Sequence, residues 1–236
     1  MRKFQVFLTG AMVLGFVLAG TAKSEAALIA WVCSTANCTG AGDVSVLDGG
    51  AGDGLAGVDG AITISGSFFG YEVVVNTSQS KPAIGSAALP QMDLTYTLTN
   101  SRAAAGNIWL YASDTDFIGN VTLNATLDGN SSANAFTLTG GVWGGDSNTA
   151  SLSNSLITLG PIQNQGSYTA AGSAPVGSLV NPYALVIGVH LFSNTGGTTT
   201  GDLLVTSVPE PASVLLLGLG LLGGGAAMRR RSRSRA

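Results

Sequence analysis

Gln91-Met92-Asp93-Leu94-Thr95-Tyr96-Thr97-Leu98-Thr99-Asn100 alternates without a break: Met92, Leu94, Tyr96 and Leu98 stand between Asp93, Thr95, Thr97 and Thr99. Successive side chains of a strand point to opposite faces, so a period of two predicts a strand with one dry and one wet face. The same reading extends outward along the chain. Ile62 and Ile64 alternate with Thr63 and Ser65; Val121, Leu123, Ala125 and Leu127 with Thr122, Asn124 and Thr126; Phe136 and Leu138 with Thr137 and Thr139. Two runs, Ile108 to Tyr111 and Tyr183 to Phe192, are apolar on both faces and predict central strands covered on both sides.

Clusters of Asn, Asp, Gly and Ser at 76–80, 100–101, 128–130 and 144–146 predict turns, and Leu127-Asp128-Gly129-Asn130 reads as a hairpin. The middle of the chain has no capped 3.6-residue apolar repeat, and its Thr and Val favour strands. The expected fold class is therefore all-β, an antiparallel β-sandwich of jelly-roll type. A β-helix is the alternative, but no repeat period supports it.

The two ends read differently from this middle. Arg2 and Lys3 precede an apolar stretch, Val6 to Gly20, and Ser24-Glu25-Ala26 fits a small-x-small cleavage site, with Ala22 as another end point. That is the pattern of a secretory signal peptide handed to the secretion translocon. At the other end Val208-Pro209-Glu210-Pro211 leads into an uncharged run, Ala212 to Met228, built from Leu, Gly, Ala and Val. A bilayer core of about 30 Å needs roughly 17–25 helical residues, so the run is at the short end of a span. Arg229, Arg230, Arg231, Arg233 and Arg235 follow and would hold the C-terminus on the cytoplasmic side. Pro209 and Pro211 flank Glu210 and bias the chain to extended geometry, an exposed handle suited to a processing enzyme. A plain tail anchor is the simpler alternative.

Pro209-Glu210-Pro211, the Gly/Leu-rich run and the arginine cluster together resemble the PEP-CTERM sorting signal of Gram-negative bacteria. The resemblance implies recognition by exosortase, a multi-spanning membrane enzyme. It also implies removal of the tail, release or attachment at the cell surface, and association with extracellular polymeric matrix. The layout expected is 1–26 signal peptide, 27–207 β-sandwich and 208–236 sorting signal.

Trimming both ends leaves one domain by length, large enough to bury a core. It also uncovers the charge. Lys81 and Arg102 face Asp43, Asp48, Asp53, Asp59, Glu72, Asp93, Asp114, Asp116, Asp128, Asp146 and Asp202, a formal charge of −9. Such a surface repels nucleic acid and suits Ca²⁺ or basic partners. Cys33 and Cys38, the only cysteines, are expected to pair in an oxidising compartment and to pin a turn after the first strand. So short a loop is worth roughly 2 kcal/mol. The Gly/Asp-rich stretch from Gly40 to Gly60 reads as a solvated loop. Within it Asp48 and Asp53 are the calcium candidates, because Gly49 to Asp53 resembles a repeat-in-toxin nonapeptide. That stretch is one residue short and does not repeat.

An enzyme is not expected. His190 is the only histidine and lies in the most apolar run, where a core side chain is the favoured reading. No G-x-S-x-G elbow, H-E-x-x-H zinc motif, phosphate loop or dinucleotide fingerprint occurs. Asp114 and Asp116 would share a strand face and could hold a metal or a sugar, although Asp-Thr-Asp at a strand end reads first as a turn. Glu72 reads as a solvated strand position. Trp143, in a Gly-rich loop, is the candidate sugar platform, with a tucked loop anchor as the plainer reading; Trp109 is expected in the core. The triplets at Asn37, Asn76, Asn120, Asn124 and Asn130 read as chance products of a Thr/Asn-rich chain.

Ser80 to Gly85, Pro90 to Leu94 and Asp114 to Phe117 also resemble a group of uncharacterised domains that often precede this sorting signal, a resemblance that implies no activity. The functional expectation is a non-catalytic surface or matrix protein. A polysaccharide- or calcium-binding lectin-like module and a hydrolase with an acidic site are the alternatives.

Overall fold

The computed structural model describes residues 28–101, 105–133, 135–163 and 165–208. The leader 1–26, Pro209, Glu210, Pro211, the apolar run and Arg229, Arg230 and Arg231 lie outside the described residues. Chain order gives β1 (Ile29–Cys33), β2 (Val44–Leu47), β3 (Ala61–Phe68), β4 (Tyr71–Gln79), β5 (Gln91–Asn100) and β6 (Gly106–Phe117). Next come β7 (Thr122–Ser131), β8 (Phe136–Gly145), a short 3₁₀ turn (Asp146–Asn148), β9 (Ser155–Ile162), β10 (Gly166–Pro175), β11 (Tyr183–Ser193) and β12 (Gly197–Val208).

These strands form two six-stranded sheets, β2-β1-β6-β11-β8-β9 and β10-β7-β12-β5-β4-β3. Every pairing is antiparallel, and four pairs are nested: β8 with β9, β7 with β10, β6 with β11 and β5 with β12. That nesting is one long hairpin rolled over on itself, the jelly roll expected from the alternation, and it excludes the β-helix. The β1–β2 and β3–β4 hairpins extend one edge of each sheet.

The decisive stretch behaves as read. In β5, Met92, Leu94, Tyr96 and Leu98 are buried between the sheets while Asp93, Thr95, Thr97 and Thr99 are half-buried on the outer face. The doubly apolar run of β11 lies between β6 and β8, buried along nearly its whole length. The inner faces of both sheets close one contiguous core, from Leu28 and Val32 through Leu110 and Ile187 to Leu203.

Several local expectations are overturned. Asp128-Gly129-Asn130 is not a hairpin but the last part of β7, paired on both sides. Gly129 serves packing there: an added Cβ would lie 2.2 Å from the Thr200 carbonyl oxygen and 2.3 Å from the Tyr168 hydroxyl. Residues 76–80 do not turn either, because β4 runs through to Gln79 with a register shift between Val75 and Thr77. Gly144 and Gly145 close β8 before the 3₁₀ turn, and the Leu179 side chain fills the space a Cβ on Gly144 would need. The stretch 40–60 is not loop throughout, since β2 crosses it.

Candidate functional site

The outer face of the first sheet gathers aromatics that are far apart in sequence. Cross-strand register places Trp31 opposite Tyr111, Tyr111 opposite Gly188, and Gly188 opposite Gly141. The neighbouring row aligns Cys33, Trp109, His190 and Thr139. All three tryptophans of the chain, Trp31, Trp109 and Trp143, thus share one face. They are half-buried and surround a small cluster of Cys33, Tyr111 and Val186, separate from the main core.

The glycines make room for the rings. A Cβ on Gly188 would lie 2.2 Å from Tyr111 Cδ1, and one on Gly141 would lie 2.6 Å from Trp143 Cη2. Large rings lying over glycine backbone replace the missing side-chain packing of those strands. Tyr111 and Trp143 meet edge to face at 5.7 Å. Trp109 stacks on His190 at 4.2 Å with the planes 8° apart. His190 shares a 2.9 Å hydrogen bond between Nε2 and Asn107 Oδ1, and burial holds its pKa below the ordinary 6.5, so the ring is neutral at pH 7.

Three expectations are corrected here. Trp143 is in strand β8 rather than a loop, and Trp109 is on the outer face rather than in the core. His190 is likewise half-buried on the outer face, stacked on Trp109, rather than in the core. These placements follow from register across four strands, which no single segment carries.

The Cys33–Cys38 disulfide forms as expected, directly after β1. It shapes a tight loop that receives the Tyr111 hydroxyl on the Ala36 carbonyl at 2.9 Å. Between this loop and residues 150–152 lies a cleft of about 230 Å³, walled by Trp31, Tyr111, Val186 and Leu152 with Asn37 and Ser151 supplying polar groups. That is below the about 300–1,000 Å³ of whole small-molecule sites, so it fits one ring rather than a cofactor.

Asp114 and Asp116 do not form a paired-carboxylate site. Asp114 is fully buried and accepts from Ser80 Oγ at 2.7 Å, Lys81 Nζ at 3.0 Å and the Thr115 N–H at 2.7 Å. Lys81 also donates to the Thr115 carbonyl, and its ammonium sits 4.7 Å from the centre of the Phe117 ring. Asp116 breaks the strand period with a left-handed φ of 61°, opposite a register shift between Tyr183 and Leu185. Its carboxylate accepts from the Asn148 amide at 2.6 Å. Two of the three family-like segments, 80–85 and 114–117, therefore meet as one buried ion pair.

Asp48 and Asp53 are engaged with their own loop. Asp48 accepts the Gly60 N–H at 2.6 Å, and Asp53 accepts those of Gly49, Leu55 and Thr63. Among the described residues no group of three or more His, Cys, Asp or Glu side chains converges. Glu72 is exposed on β4, as expected.

The outer face of the second sheet is acidic. Asp202 on β12 stands directly opposite Asp128 on β7, and Thr95 on β5 bridges towards both Asp93 and Asp202. Burial, reinforced by the hydrogen bond with Asp202 and its charge, pushes the Asp93 carboxyl up to about 7. The folded pKa exceeds the unfolded value of about 3.9, so the folded state holds an extra proton between about pH 4 and pH 7. Stability from this group is therefore full at low pH and is lost as pH rises through 7. The carboxyl is half exposed and screened, which limits the effect to about 1 kcal/mol. Chemical denaturation at pH 5 and pH 8 should show a steeper fall for the wild type than for Asp93→Asn; equal slopes would refute the assignment.

The described chain is thus a jelly-roll β-sandwich with one aromatic outer face, and the C-terminal tail follows its last strand in sequence. That tail identifies the chain further: residues 207–231 match the PEP-CTERM protein-sorting motif. The chain carries this motif, which implies export, a membrane-anchored C-terminal sorting region and processing by exosortase. The match begins at residue 207, inside β12.

No curated protein sequence matches the chain significantly. Among solved structures, the enzymatically active domain of bacteriophage CBA120 tailspike protein 4 is 11% identical with a TM-score of 0.38, over 59% of this chain and 19% of that one. TmCBM61 in complex with β-1,4-galactotriose is 8% identical with a TM-score of 0.35, over 61% of this chain and 92% of that one.

Proposed function

We propose that the protein is an exported cell-surface or extracellular-matrix protein, released or attached after exosortase removes its tail. In this reading the sandwich is non-catalytic and adhesive, and it holds polysaccharide on the outer aromatic face of the first sheet. The observation that carries the reading is the grouping of Trp31, Trp109 and Trp143 on one half-exposed face. An apolar ring face stacks on the C–H face of a sugar, while nearby amide and hydroxyl groups bond the sugar hydroxyls. The cleft supplies both, with Trp31 and Tyr111 as walls and Asn37 and Ser151 as polar partners. The reading of the domain as non-catalytic is supported by the engagement of Asp114 with Lys81 and of Asp116 with Asn148, which leaves the acidic-site alternative without its two carboxylates.

A glycan array followed by calorimetry on protein purified from cells tests this. Trp31→Ala is expected to weaken the best glycan about tenfold or more, a loss of about 1.4 kcal/mol or more. Thermal melting should confirm that the variant is folded. No glycan signal for the wild type, or unchanged affinity in Trp31→Ala and Trp143→Ala, would rule the face out.

A further inference from the structure

We propose that the end of the sandwich from which the tail departs is a membrane-contact surface, seated on the lipid bilayer while the tail is in place. The proposal rests on the reading of the tail as a membrane-anchored sorting signal. Large apolar side chains exposed at this end include Leu89 (48%), Ile118 (46%), Val180 (59%) and Val208 (42%). They come from four separate places in the chain, yet the backbone ties these together. The Ile118 N–H donates to the Ala87 carbonyl, the Ser207 N–H to the Pro90 carbonyl, and the Val176 N–H to the Val121 carbonyl. The Gly119 N–H donates to Asn181 Oδ1, and Val208 pairs with Thr122.

Scattered exposed apolar side chains need no explanation; a set gathered on the loops around the point of membrane attachment does. Only residues 209–211 separate Val208 from the apolar run that begins at Ala212. Four Cα-to-Cα steps reach at most about 14 Å, even fully extended. The headgroup layer is itself roughly 5–8 Å deep on each side, so an inserted run brings the end of β12 against the bilayer surface. The loops bearing Leu89, Ile118 and Val180 flank that strand end.

The chemistry of the contact is apolar rather than ionic. Among the described residues the basic side chain at this end is Lys81, which is 5% exposed and paired with Asp114. The nearby Asp48, Asp116 and Asp146 are acidic, accepting from the Gly60 N–H, the Asn148 side chain and the Val180 N–H. Anionic lipid should therefore add nothing to the contact, and salt should not dissolve it.

The full chain reconstituted in phosphatidylcholine vesicles provides the test. An environment-sensitive fluorophore is placed on Val180→Cys, or on Leu89→Cys, labelled without reduction so that Cys33–Cys38 stays closed. Asn194→Cys is the reference, because Asn194 follows Ser193, which pairs with Gly106 at the far end of β6. Flotation reports whether the tail is inserted. The expected result is that labels at Val180 and Leu89 are quenched by brominated lipid several-fold more than the label at Asn194. That difference should persist in high salt and on adding phosphatidylglycerol. Adding Leu89→Asp and Ile118→Asp to the Val180→Cys chain should abolish it. Floating chains with equal quenching at both ends would overturn the membrane contact while leaving the anchor intact. Shielding that depends on protein-to-lipid ratio would assign the surface to a second copy instead. Chains that do not float would remove the anchor reading, and the contact with it.

Discussion

Lys81→Ala is expected to destabilise the domain by about 3–5 kcal/mol, one of the two largest effects foreseen for a single substitution here. The reason is what stays behind. Asp114 is fully buried, and without the ammonium its charge has only the Ser80 hydroxyl and the Thr115 N–H as donors. Breaking a buried pair costs more than the pair itself contributes, because the surviving ion is stranded in low dielectric. A double replacement, Lys81→Met with Asp114→Leu, should recover most of the loss, since a packed apolar pair of similar volume is often neutral. Urea denaturation of the two single variants and the double variant separates these cases. A Lys81→Ala loss below about 1 kcal/mol would mean that solvent reaches Asp114.

The ion pair also shows where the sequence stops being readable. Lys81 and Asp114 were each visible, and so was the oddity of Asp-Thr-Asp at a strand end. Their pairing depends on a loop folding back across the edge of two sheets. The alternation of β5 was legible because it is local: period two needs no knowledge of the partner strands. The central place of β11 was legible for the same reason, from its apolar character on both faces. The aromatic face was not. Trp31, Trp109 and Trp143 meet only after β1, β6, β11 and β8 have paired in one register. Strands β9 and β10 were missed because SLITLGPI and GSYTAAGSAP carry too many small residues to alternate clearly. The sorting motif was legible because its parts are contiguous, and residues 207–231 match it.

Glycine within strands misled the reading most, and it supports the other large prediction. Across the second sheet one row reads Tyr168, Gly129, Gly201, Tyr96 in cross-strand order. The two tyrosines lean inward over the two glycines until their hydroxyls meet at 3.0 Å, and Tyr168 Oη donates on to the Thr200 carbonyl at 2.7 Å. Burial raises both phenols, Tyr168 to about 12, so the pair stays neutral and hydrogen-bonded at physiological pH.

Gly129→Ala should cost about 3 kcal/mol, the upper part of the range for overpacking. The added methyl would stand 2.2 Å from the Thr200 carbonyl oxygen, which is backbone and held in a strand paired on both sides. It would also displace the Tyr168 hydroxyl from its bonds. Gly57→Ala is the matching control, because nothing lies within 4 Å of its added Cβ and its backbone needs no left-handed φ. That variant should be neutral or gain up to about 1 kcal/mol through the unfolded chain. Chemical denaturation should therefore separate two substitutions of identical chemistry by about 3 kcal/mol or more. If they cost the same, Asp128-Gly129-Asn130 is a yielding turn after all, and the rolled hairpin that places every other residue here is wrong.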